Sequence, residues 1–132
     1  MQERGPSGTT GWKRYEVALD VPADTVNINF GVVMPGRGTA WFDDLQLAID
    51  GVPYDATGAF DFDFESGALV GFFAPATDYT VAIDGTAAAR GKSSLKIQSR
   101  GSSGTEAASV AAVEVSRRCG EVVAHMESSC ST

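Results

Sequence analysis

Thr39-Ala40-Trp41-Phe42-Asp43-Asp44-Leu45-Gln46-Leu47-Ala48-Ile49 is the stretch on which the fold turns. A period of two places Trp41, Leu45, Leu47 and Ile49 on one face of a strand, with Phe42, Asp44, Gln46 and Ala48 on the other. Asp43 breaks the pattern, because it falls on the otherwise apolar face. A buried, unpaired carboxylate is costly, so the exception means either a β-bulge or an inward carboxylate with a partner.

The same period extends upstream. Tyr15, Val17, Leu19 and Val21 alternate with Arg14, Glu16 and Asp20, and Val26, Ile28, Phe30, Val32 and Met34 alternate with Asn27, Asn29 and Gly31. Pro22-Ala23-Asp24 and Pro35-Gly36-Arg37-Gly38 supply the turns between these runs, as an antiparallel sheet requires. Residues Met1 to Gly11 are rich in Gly, Ser and Thr and read as a flexible leader.

Downstream, Asp50 to Gly58 is dense in turn formers and marks the best boundary in the chain. Phe60-Asp61-Phe62-Asp63-Phe64-Glu65 alternates strictly and reads as a strand, followed by strands at Tyr79 to Asp84 and Ser94 to Ser99 around a Gly85 to Lys92 loop. From Thr105 the apolar residues Ala108, Ala112, Val115, Cys119, Val122 and Met126 recur at steps of four and three, which predicts a C-terminal α-helix over 105–132. Thr105 would cap it and Glu106 suits its first turn, while Gly120 weakens it, so this helix needs a surface to pack on.

The 132 residues carry 10 Lys and Arg against 17 Asp and Glu, a net charge of −7. The cations are scattered, which argues against nucleic acid as a partner. No apolar run approaches the ~20 residues needed for a membrane span, and Met1 to Pro6 lacks the apolar core of a secretory signal. Cys119 and Cys130 fit no disulfide framework or zinc spacing and read as plain thiols, and His125 as a solvent-facing helix residue. Gly85 to Ser93 looks like a phosphate-binding loop but has five residues between its glycines, and a strand follows it where a helix is required. One histidine and two late cysteines assemble no nucleophile, base and orienting group, so the region reads as non-catalytic.

Asp61, Asp63 and Glu65 line one strand face at intervals of about 7 Å, which suits either a hard cation or a solvated edge. Trp12, Phe72, Phe73 and Tyr79 are candidates for stacking on sugar rings, and Phe72-Phe73, in a loop stretch, is the best of them. Trp41, on the apolar face of its strand, reads as core.

Two stretches resemble a known module. Gly11-Trp12-Lys13-Arg14-Tyr15-Glu16-Val17 through Val21-Pro22, Ile28-Asn29-Phe30-Gly31 and Gly38 to Leu45 are similar to the closing strands of galactose-binding-like, carbohydrate-binding-module-type jelly rolls, with Trp41-Phe42-Asp43-Asp44-Leu45 the most specific element. Asp61 to Glu65, Tyr79 to Asp84 and Gly91 to Ile97 resemble the opening strands of the same kind of module. Such modules are appended to secreted bacterial hydrolases, among them erythromycin-esterase-like proteins and tail-specific serine peptidases. Residues Cys119 to Glu127 resemble, more weakly, the helical start that follows the module in erythromycin-esterase-like proteins.

The order departs from the family, because the closing strands (12–55) precede the opening strands (56–104). The chain therefore spans a junction between two consecutive units or is a permuted single module. The fold expected is a mainly β, antiparallel sandwich of jelly-roll type, partial or permuted, with one C-terminal helix. The resemblance implies a structural calcium ion joining Glu65 to Asp43 or Asp44, an extracellular or periplasmic location, and a non-catalytic region that binds carbohydrate or envelope polysaccharide. The alternative is a structural segment that docks on the catalytic hydrolase domain of its parent protein.

Overall fold

The alternating segments become strands, and a strand buries its apolar face only by pairing with others. A computed structural model describes residues 8–34, 36–55, 58–72, 78–100, 107–114 and 121–131. These form β1 (Thr10–Asp20), β2 (Asn27–Met34), β3 (Thr39–Ile49), β4 (Val52–Pro53), β5 (Tyr79–Asp84), β6 (Ser94–Ser99), β7 (Ala107–Glu114) and β8 (Glu121–Ser131). Every pairing is antiparallel. The larger sheet runs β1-β8-β3-β6-β5 with β4 paired to β3, and β2 and β7 form a second, two-stranded sheet. Strand β3, from the 12–55 stretch, is thus hydrogen-bonded to β6 from the 56–104 stretch.

The core lies on one face of the larger sheet. Ala40, Phe42, Leu45, Tyr79, Leu95 and Ile97 are buried there with Val32 of β2 and Phe64, and Phe30, Met34, Phe62, Leu69 and Phe72 pack around them. A second cluster gathers Val21, Ile28, Ile49, Tyr54 and Phe60 around the buried Leu47. Each large side chain fully buried contributes roughly 1.5–3 kcal/mol, which makes this face the main source of stability.

Strand β3 does not keep one parity. The register against β8 shifts between Asp43 and Gln46, and Asp44 adopts a φ of 50°. The extra residue of this bulge exchanges the faces, so Phe42 before it and Leu45 and Leu47 after it all face the core. Trp41, expected beside Leu45 and Leu47, consequently lies on the outer face.

Two expectations are corrected. The 105–132 helix is not formed: 107–114 is β7, paired to β2, and 121–131 is β8, inserted between β1 and β3. Short apolar runs satisfy both periods. In β8, Ala124, Met126 and Cys130 pack against the two clusters, with Ser128 also buried, so tertiary pairing decides for strand. Thr105, Glu106, Val115, Cys119 and Gly120 lie outside the described residues.

Residues 60–65 are irregular rather than a strand, bending at Phe62 and Asp63, with Phe64 at a φ of 58°. The hydrogen bonds here, Leu45 N to Phe62 O at 3.0 Å and Asp61 N to Val70 O at 3.2 Å, do not build a ladder. The division of side chains survives, because Phe60, Phe62 and Phe64 turn to the core clusters. None of the described residues is in a helix long and apolar enough to cross a membrane.

Candidate functional site

The bulge in β3 aims Asp43 at the loop that joins β5 to β6. Asp43 has no exposed surface, yet its carboxylate is fully engaged. Oδ2 accepts from the amides of Ala89 at 2.8 Å and Arg90 at 2.9 Å, and Oδ1 accepts from Asp44 N at 2.7 Å. Both readings of the misplaced acid therefore hold at once, since the bulge and the partners belong to one device. Arg90 Nε sits 3.0 Å from Asp44 Oδ2, but the Arg90 side chain is 67% exposed, so this ion pair contributes little.

Glu65 grips the same loop further on. Its Oε1 accepts from Lys92 N at 2.7 Å and Ser93 N at 2.9 Å, and these two amides hold the carboxyl below its ordinary range. Gly91 has a φ of 66°, which favours glycine, and a Cβ there would fall on the Glu65 carboxylate and have to displace it. The buried Ser94 hydroxyl donates to Ala87 O at 2.6 Å. The glycine-rich loop thus directs four amides, those of Ala89, Arg90, Lys92 and Ser93, at the chain's own carboxylates, where a phosphate-binding loop would present them to a ligand.

Asp84, where β5 ends, completes the arrangement. The Thr86 hydroxyl and amide donate to its Oδ1 at 2.6 and 2.8 Å, and Trp41 Nε1 donates to its Oδ2 at 2.9 Å. Lys96 Nζ is 3.7 Å from the same Oδ2 and 5.8 Å from the Trp41 ring centroid. The Thr86 hydroxyl, then the Trp41 indole and the Thr86 amide, bring the Asp84 carboxyl down to about 2. The sequence reading missed this trio of Trp41, Asp84 and Lys96 because it placed Trp41 in the core. The signal was present in Asp43-Asp44, since a bulge there reverses the face of everything before it.

The metal candidates Asp43, Asp44 and Glu65 all meet the 85–93 loop, but through backbone amides and Arg90. No group of three or more His, Cys, Asp or Glu capable of holding a metal gathers among the described residues. The donors around Asp43 and around the engaged oxygen of Glu65 are backbone N–H groups. Asp61 accepts from the amide and hydroxyl of Ser66, and Asp63 is raised, first by its hydrogen bond with Asp61.

The stacking candidates are dispersed. Tyr79 is 1% exposed, and its hydroxyl donates to Gly36 O at 2.8 Å. Phe72 packs against Phe60, Phe62 and Phe64 with centroids at 6.0, 6.3 and 5.4 Å. Trp12 is half-buried in β1, at the opposite edge of the sheet from Tyr79 in β5. Four strand spacings, about 19 Å, separate those edges. Phe73 lies outside the described residues. His125, expected on a helix, stands on β8 with Nδ1 3.0 Å from Glu16 Oε2 and out of line for a hydrogen bond.

Comparison with known proteins finds no matching family model and no matching solved structure. Over 45 residues the chain is 44% identical to the uncharacterized HTH-type transcriptional regulator YbfP of Bacillus subtilis (strain 168). That match covers 34% of this chain and 15% of the regulator's length.

Proposed function

We propose that this is a non-catalytic accessory region of carbohydrate-binding type, a jelly-roll sandwich in which β2–β7 is the second layer, serving a secreted hydrolase by placing its catalytic domain on a polysaccharide surface. The observation that carries the reading is the use made of Asp43 and Glu65. Asp43 and Glu65 are both committed to amides of one loop, as in a scaffold. Trp41, half-buried on the outer face between Lys96 and Asp84, supplies the mixture of flat apolar and polar surface that sugar recognition uses. A net charge of −7 disfavours carrying over a nucleic-acid role from the regulator it partly matches.

Electrophoresis through gels containing soluble polysaccharides tests this. Retardation that is lost in Trp41→Phe or Trp12→Ala, with unchanged far-UV circular dichroism, is the expected result. Unretarded migration in every polysaccharide removes the carbohydrate role.

The exposure of Val26 and Val52, 74% and 66%, favours a second reading in which these residues dock on the parent catalytic domain. Its signature is a rise in melting temperature on mixing with that domain, abolished by Val26→Ser with Val52→Ser.

A further inference from the structure

Strand β1 is an edge: among the described residues it has β8 on one side and no strand on the other. Edges of this length are usually blunted by proline, bulges or charged side chains, and the charges of β1, Lys13, Arg14, Glu16 and Asp20, are of both signs. Here the register shift between Thr10 and Lys13 lies at one end and Pro22 beyond the other, while Lys13 to Asp20 pairs with β8 without interruption. The free side of this segment can therefore accept another strand.

Its sequence says which one. Counted outward from Val17, the residues are complementary to themselves when read in the opposite direction: Glu16 mirrors Ala18, Tyr15 mirrors Leu19, and Arg14 mirrors Asp20. Mirror-related positions share parity, so antiparallel pairing of two copies keeps each residue and its counterpart on one face. Tyr15 and Val17 stand opposite Met126 and Ala124 in the ladder, which places them on the core face. Leu19 on that face is 46% exposed. We propose that β1 pairs antiparallel with β1 of a second copy about a two-fold axis at Val17, joining two sheets into one.

In that dimer Leu19 lies against Tyr15 of the second copy, and Val17 against its equivalent, which extends the apolar stripe across the axis. On the outer face the exposed Arg14 meets Asp20 of the second copy, twice by symmetry. Glu16 is already beside His125, and its counterpart is the small Ala18, which leaves that pair undisturbed. Charge and shape thus select the chain itself as the occupant, because an unrelated strand would not carry the mirrored pattern.

Sedimentation of the full chain across roughly 1 μM to 1 mM tests this. Wild type is expected to pass from monomer to dimer and stop there. Arg14→Asp turns two attractions into two repulsions and raises the dissociation constant on the order of tenfold. The double variant Arg14→Asp/Asp20→Arg restores it, and an equimolar mixture of Arg14→Asp with Asp20→Arg forms the mixed dimer. Both positions are exposed, and far-UV circular dichroism verifies the fold. A monomer throughout, a dimer indifferent to the charge series, or growth beyond two copies through a β1–β5 contact overturns the proposal.

Discussion

Phe42 and Leu45 face the same core although they stand three positions apart in one strand, a separation that in a regular strand puts side chains on opposite faces. The residue that reconciles them is Asp44, at a φ of 50°, and the residue that holds the bulge in place is Asp43.

Asp43→Ala removes a fully buried carboxylate and leaves the part-buried amides of Ala89, Arg90 and Asp44 without their acceptor. The expected loss is about 3 kcal/mol or more, read from urea unfolding. Asp43→Asn keeps one carbonyl oxygen and is expected to lose about half as much. A variant as stable as wild type would show that the loop does not depend on this carboxylate.

Gly91→Ala forces a left-handed conformation on alanine and drives its Cβ into the Glu65 carboxylate. The backbone part alone is worth roughly 1–2 kcal/mol. Because the collision involves a side chain, a double-mutant cycle with Glu65→Ala should be strongly non-additive: once Glu65 is removed, Gly91→Ala should cost only its backbone part.

Asp84 carries a pH dependence. Its carboxyl is lowered from 3.8 to about 2 in the folded chain, so its contribution is present above the ordinary carboxylate value and is lost as pH falls from 3.8 towards 2. Trp41→Phe removes one of the donors responsible, and the drop in urea midpoint between about pH 5 and about pH 2 should shrink. An identical drop in wild type and variant would dissociate the indole from this titration.

How much of this was legible in the residues follows from what each signal depends on. Strands β1, β2, β3, β5 and β6 were readable because period two is a local property of side-chain chemistry. The exchange of faces at Asp44 was visible only as a misplaced acid, since a bulge is set by the partner strand. Strands β7 and β8 were read as one helix because small and β-branched residues fit both periods, and the choice is made by pairing partners, β2 for β7 and the gap between β1 and β3 for β8. The alternation of Phe60 to Glu65 correctly sorted core from surface but could not reveal that its backbone lacks a ladder. In the site, the sequence reading found Asp43, Asp44 and Glu65. The resemblance implied a calcium ion for them, and spacing does not show that backbone amides of a distant loop also meet Asp43 and Glu65.

Phe72 contacts three other aromatic rings, so Phe72→Ala is expected to cost about 2–3 kcal/mol in thermal or chemical unfolding. A loss of sugar binding in that variant therefore counts only beside an unchanged melting curve, whereas Phe72→Leu retains most of the packing.

Calcium provides a further test. With the carboxylates engaged by amides, the melting temperature should be the same in excess chelator and in millimolar calcium. A rise of several degrees with calcium would mean that Asp43 or Glu65 releases its amides to the ion.

The position of β8 between β1 and β3 governs the order in which the molecule can be made. A chain emerging amino terminus first produces β1 and β3 early, but neither has its neighbour until Glu121–Ser131 has been synthesised. Until then β1 is not joined to the sheet, and β3 keeps an open edge on the side opposite β6. Closure of this part of the sheet therefore waits for the late insertion of one strand. Such non-local closure is slow and exposes the intermediate to association with other chains.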